Sequence, residues 1–106
     1  MKLNFESIAI IYLAASFVQP VSAQSAGADT YKAKCQMCHG ADGLGATPAG
    51  RVAKIVPFKD PLIVNAPDAD LIAVVKKGKN KMPPFAGKLS DDQIESVVAY
   101  IRTLEK

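Results

Sequence analysis

Cys35, Gln36, Met37, Cys38 and His39 stand in the order C-x-x-C-H, the spacing that attaches a c-type haem. Residues three apart lie on one face of a helix. Two thiols so placed reach the vinyl groups of adjacent pyrrole rings and form thioethers, and His39 then turns its imidazole toward the iron from below. Three other chemistries use the same residue types. A Cys35–Cys38 disulfide closes a tiny loop and stabilises little. A thioredoxin-like redox pair needs a βαβ surrounding that this sequence lacks. A zinc site has three candidate ligands here, but the chain holds only 2 Cys and 1 His, so no fourth ligand of that kind closes the tetrahedron. Haem attachment fits best.

A sixth ligand cannot be a second imidazole from the same chain, because His39 is the only His. Met37 lies between the two Cys and cannot reach the opposite face of the ring. Met82 remains, on a loop stiffened by Pro83 and Pro84. A thioether there raises the reduction potential. The plainer role for an isolated Met is to fill a gap in a core, but the attachment motif calls for an axial ligand. Lys76, Lys77, Lys79, Lys81 and Lys88 bracket Met82. They read equally well as a ring that steers an acidic partner and as a solvated helix end.

The elements that must position these residues are helices. Residues 24–26 read as a loose start, and Gly27 to Cys38 suit a helix with Gly27, Tyr31 and Cys35 on one face. Residues 40–67 are punctuated by Gly and Pro yet carry Leu44, Val52, Ile55, Val56, Phe58, Leu62, Ile63 and Val64. So apolar a loop predicts wrapping over something hydrophobic, and a loop this long in a small domain is usually functional. A second helix is predicted from Pro67 to Lys77, with Asp68 and Asp70 at its positive end and Lys76 and Lys77 at its negative end; Gly78 stops it. Ser90 to Gln93 match a capping box, and Ile94, Val97, Val98, Ile101 and Leu104 follow the helical period. No run alternates as a strand. The class is all-α, with three main helices and long connections.

Composition bounds the rest. The 106 residues allow at most one small domain. The formal charge of +3 is too small for the basic stripe of a nucleic-acid binder. Residues 1–23 read as a secretory signal peptide: Lys2, an apolar run from Ile8 to Val18, then Val21-Ser22-Ala23. The run is short against the ~20 residues of a membrane span. Cleavage after Ala23 leaves 24–106 as the domain, with no stable membrane insertion; an uncleaved anchor has a similar pattern. Export places the Cys pair in an oxidising compartment.

Together these segments resemble a small bacterial class I cytochrome c, over residues 27–105. Gly27-x-x-x-Tyr31-x-x-x-Cys35-x-x-Cys38-His39-Gly40 is similar to that family's first helix and haem motif. Leu71 to Gly78 followed by Met82-Pro83 is similar to its middle helix and axial-ligand loop, and Leu89 to Ile101 to its last helix. The resemblance implies one haem c held covalently through Cys35 and Cys38, with His39 and Met82 on the iron. It implies that Gly27 and Tyr31 pack near Val97, Tyr100 and Ile101. It also implies a Pro carbonyl holding the His ring, for which Pro48 is the match. Phe58, Leu71, Val75 and Phe85 are candidates for a dry pocket wall that tunes the potential.

The function so implied is a periplasmic one-electron carrier, not an enzyme, shuttling as a monomer between redox partner proteins of a respiratory chain. The only His is already used, which leaves no general base beside an open iron. Two rivals stand beside it: a haem subunit docked in a periplasmic dehydrogenase complex, and a ligand-binding haem sensor or weak peroxidase in which Met82 lets go.

Overall fold

The computed structural model describes residues 23–106. Among them are six helices: α1 (Ala23–Lys34), α2 (Gln36–His39), α3 (Pro48–Ala53), α4 (Pro61–Val64), α5 (Asp68–Lys77) and α6 (Asp91–Arg102). The described residues contain no strand, only isolated bridges at Lys79–Met82 and Ala86–Leu89. The leader expected over residues 1–23 lies outside the described residues, except for Ala23. No described helix is long and apolar enough to cross a membrane.

The last helix forms as its sequence predicts. The Ser90 hydroxyl accepts from the Gln93 amide at 3.1 Å, and the Gln93 side-chain oxygen accepts from the Ser90 amide at 2.8 Å. Two otherwise orphaned N–H groups are thereby satisfied. Asp91 and Asp92 sit at the positive end of the dipole. Ile94, Val97, Val98 and Ile101 are buried on the inner face.

That face is crossed by α1. Gly27 is buried at the crossing, and a Cβ there would land on the Ser96 carbonyl and press on Tyr100 Cβ. A glycine inside a helix costs about 1 kcal/mol against alanine, which the close approach of the two backbones offsets. One turn on, the Tyr31 ring lies 5.3 Å from that of Tyr100 and 6.2 Å from that of Phe58. Tyr31, Phe58, Val75, Phe85, Leu89 and the inner face of α6 make one core.

Three expectations need correction. The first helix begins by Ala23, since residues 24–26 are helical and not a loose start; Gln, Ser and Ala carry no strong bar to helix. It also does not run unbroken to Cys38. Cys35 leaves helical geometry at φ −121° and becomes the N-cap of α2, and its carbonyl accepts from both Cys38 and His39 amides. Finally, residues 40–67 are not all loop. Pro48 and Pro61 open α3 and α4 at the first helical position, behind the N-caps Thr47 and Asp60. Proline is at home there because its missing N–H costs nothing.

α5 runs antiparallel to α6. Lys76 pairs with Asp91 at one end (3.2 Å) and Arg102 with Asp68 at the other (2.9 Å). Arg102 does more than pair. Its guanidinium also donates to the Ile63 carbonyl at 2.9 Å, to the Ala66 carbonyl, and to Glu105 at 2.7 Å. The bond to Glu105, and after it the one to Asp68, holds its pKa above the ordinary arginine value against the opposing effect of burial. One side chain thus ties α4 and the segment that follows it to the end of α6.

Candidate functional site

α2 carries Cys35, Cys38 and His39 together. Both cysteines are free thiols, each half-buried. Burial pushes the Cys35 thiol up to about 11, with the neighbouring Cys38 adding to the rise. A reactive redox thiol has its pKa lowered instead, so this pair is not built as a dithiol switch. Burial also lowers the pKa of the His39 imidazole, which keeps the ring neutral and able to ligate a metal.

The His39 ring is stacked on Phe58, with centroids 4.7 Å apart and planes 18° from parallel. Phe58 reaches this place because its amide bonds the Gly43 carbonyl at 3.0 Å, folding the loop back over the motif. The buried Nδ1 of His39 has no hydrogen-bond partner among the described residues. The expected bond to the Pro48 carbonyl is therefore not made. Pro48 is exposed at the start of α3, and its neighbour Thr47 meets the motif instead. The Thr47 hydroxyl donates to the Cys38 carbonyl at 2.9 Å and accepts from the Gly50 amide at 2.8 Å. The next two carbonyls are held as well: His39 accepts from the Gly45 amide at 2.8 Å, and Gly40 accepts from the buried Tyr31 hydroxyl at 2.6 Å.

Met82 sits on a second tight turn. Its amide and carbonyl exchange bonds with Lys79 at 2.9 and 3.1 Å. Gly78 makes the turn possible. Its φ is +76°, and a Cβ there would strike the Met82 carbonyl and the Pro84 nitrogen. Beyond Met82 the chain returns along α5, where the Phe85 amide bonds the Val75 carbonyl at 3.0 Å and the Ala86 amide the Lys76 carbonyl at 3.2 Å. Two carbonyls at the end of the helix, which have no partner inside it, are thus satisfied by the loop that carries Met82.

The structure brings Phe58, Val75 and Phe85 into the buried core, with Cys35, Leu71 and Met82 packed half-buried against it. Met37 points away, 81% exposed. Leu62 is 83% exposed and Val52 70%, so the described residues do not cover these apolar side chains. Two thiols one turn apart, a neutral imidazole beside them, a thioether on a braced loop and uncovered apolar side chains together suit a covalent haem. Sequence reasoning missed Thr47, the Tyr31 hydroxyl bond and Arg102. The Thr-Pro pair is a legible cap signal, but its second bond, to Cys38, leaves no trace in sequence.

Comparison with known proteins agrees. The family model for cytochrome c oxidase, cbb3-type, subunit III matches residues 22–101. Cytochrome c6 of Leptolyngbya boryana is 39% identical over 79 residues, covering 73% of this chain and 87% of that protein. Cytochrome c6 of Gracilaria tenuistipitata var. liui is 33% identical over 103 residues, covering 95% and 93%. The solved KustC0563 c-type cytochrome superposes with a TM-score of 0.70 at 28% identity, over 76% of this chain and 98% of that one. The chain belongs to the c-type cytochromes, as a small monohaem member of class I. It carries one haem, covalently bound through Cys35 and Cys38, and it is an electron carrier rather than an enzyme.

Proposed function

We propose that this cytochrome is a diffusible periplasmic carrier with His39 and Met82 as iron ligands, exchanging electrons with partner proteins of a respiratory chain. The observation that carries the ligand assignment is the bracing of Met82. A side chain that merely filled a gap would need no tight turn, no left-handed glycine and no pair of hydrogen bonds to the end of α5. The haem supplies one-electron exchange between ferrous and ferric iron. The protein's part is to hold both ligands through that change. α2 and its backbone partners fix His39, Phe58 covers one face of the ring, and the Gly78–Phe85 loop fixes Met82. Phe58, Leu71, Val75 and Phe85 supply apolar surroundings that exclude water and set the potential.

Lys77, Lys79, Lys81 and Lys88 are exposed around this loop and form the docking side for an acidic partner surface. Lys76 contributes less, since it is paired with Asp91. Residues 1–23 act as the export leader in this reading, removed after Ala23. The matched family's description as an oxidase subunit favours a second reading, in which the protein works docked to a membrane or periplasmic oxidoreductase. Co-purification with such a complex at physiological salt distinguishes the two.

The ligand assignment is tested by Met82→Ala in the haem-loaded protein. The variant should bind carbon monoxide when reduced, and its reduction potential should fall, because a thioether raises it. A variant with the parent's potential and no gas binding would show that Met82 is not on the iron.

A further inference from the structure

We propose that Asn80 is a positioning residue for Met82, acting through its own left-handed backbone; this rests on the reading of Met82 as an iron ligand. The turn that presents Met82 is a two-residue hairpin, with Asn80 and Lys81 between the bonded pair Lys79 and Met82. Such a turn takes its hand from a positive φ at its first central residue. Asn80 supplies it, at φ +54°, and Lys81 does not share it. Asn enters this region more readily than most residues, whereas a β-branched side chain there is a genuine outlier. Asn80 is exposed, so what it contributes lies in its backbone rather than in packing.

The rest of the loop leaves this task to the turn. Pro83 and Pro84 have no N–H to donate, and between Gly78 and Phe85 the two Lys79–Met82 bonds are the only backbone bonds among the described residues. At its two ends the loop is tied to α5, the Gly78 amide to the Val74 carbonyl at 2.8 Å and the Phe85 amide to the Val75 carbonyl at 3.0 Å. The Asn80 turn is what holds the backbone of Met82 within that span. The side-chain torsions of Met82 still aim the sulfur; Asn80 sets how much of the time the backbone keeps it in reach. The turn is needed when the loop is closed and relaxes when Met82 swings off the iron. A residue that resists the left-handed region therefore destabilises only the closed loop, and the open one gains population.

The probe is imidazole added to the ferric, haem-loaded protein. It binds the iron only where Met82 has left, so its apparent affinity scales with the open fraction. Asn80→Val should bind imidazole about tenfold more tightly than the parent. Asn80→Gly keeps the left-handed turn and should stay within about threefold of the parent. Ser90→Ala is the control for lost stability alone: its urea midpoint should fall with its imidazole affinity unchanged. If Asn80→Val does not mature with haem, Asn80→Ala, which meets a backbone penalty of the same kind, decides in its place. Whichever variant decides overturns the proposal by keeping the parent's affinity. An Asn80→Gly protein that gains as much as Asn80→Val also overturns it, since the left-handed backbone is then not the cause. A Ser90→Ala protein that gains alongside them overturns it too, since lost stability alone then opens the loop. A Met82→Ala protein that binds imidazole no better than the parent overturns the ligand reading, and the role of Asn80 with it.

Discussion

Tyr31 shows how one residue links the haem motif to the fold. Its ring packs in the core and its hydroxyl holds the Gly40 carbonyl. Burial, with smaller contributions from Cys35, Tyr100 and Asp42, raises its phenol pKa far above the ordinary value of 10.0. The folded protein thus keeps a proton that the unfolded chain releases near pH 10, so the folded state binds more protons there. Stability from this group is complete below pH 10 and declines as pH rises above it. Urea midpoints measured across alkaline pH should show that decline. Tyr31→Phe should lose about 1 kcal/mol at neutral pH for the missing bond and flatten the alkaline slope; an unchanged slope would contradict the assignment. At this scale Cys35, Cys38 and His39 were legible, because covalent attachment demands a fixed spacing. The bond from Thr47 to the Cys38 carbonyl was not legible. A hydrogen bond made across a fold depends on where a side chain points, which local sequence does not encode.

Among the elements, the crossing of α1 over α6 carries the fold, and the Gly78–Phe85 loop carries Met82, the proposed sixth ligand. Gly27→Val forces a branched side chain into the Ser96 carbonyl and should cost at least about 2 kcal/mol. Ser90→Ala removes one half of the capping box and should cost about 1 kcal/mol. Thermal unfolding of the reduced protein measures both, and neither should alter its absorption spectrum, since both lie away from α2 and the Met82 loop. A spectral change in Ser90→Ala would mean that α6 positions the haem more directly than its contacts indicate. α6 was legible in full, because its cap, its dipole charges and its apolar period all agree. α5 was legible to within a residue. α3 and α4 were not, because four to six residues show no period, and the prolines that begin them read equally well as breakers. The break at Cys35 was hidden for a different reason. It is set by the carbonyl that Cys38 and His39 share, not by any helix-breaking residue.

For the molecule as a whole, charge is distributed rather than large. The formal charge is only +3, yet Lys77, Lys79, Lys81 and Lys88 collect around the Met82 loop, while Asp68, Asp70, Asp91 and Asp92 mark the helix N-termini. A local patch of this kind acts on association rate and is screened by salt. Reversing Lys79 and Lys81 to Glu should slow electron exchange with an acidic redox protein about tenfold at low ionic strength. The difference should vanish as salt rises, followed by stopped-flow mixing at several salt concentrations. A rate that ignores both charge reversal and salt would remove these lysines from the docking side. The central claim, a closed iron held by His39 and Met82 and used only to pass electrons, is tested most directly by one spectrum. The haem-loaded protein is reduced and recorded with and without carbon monoxide. The account predicts a c-type spectrum that the gas leaves unchanged; a clear shift on adding the gas would show an open or labile sixth position and contradict it.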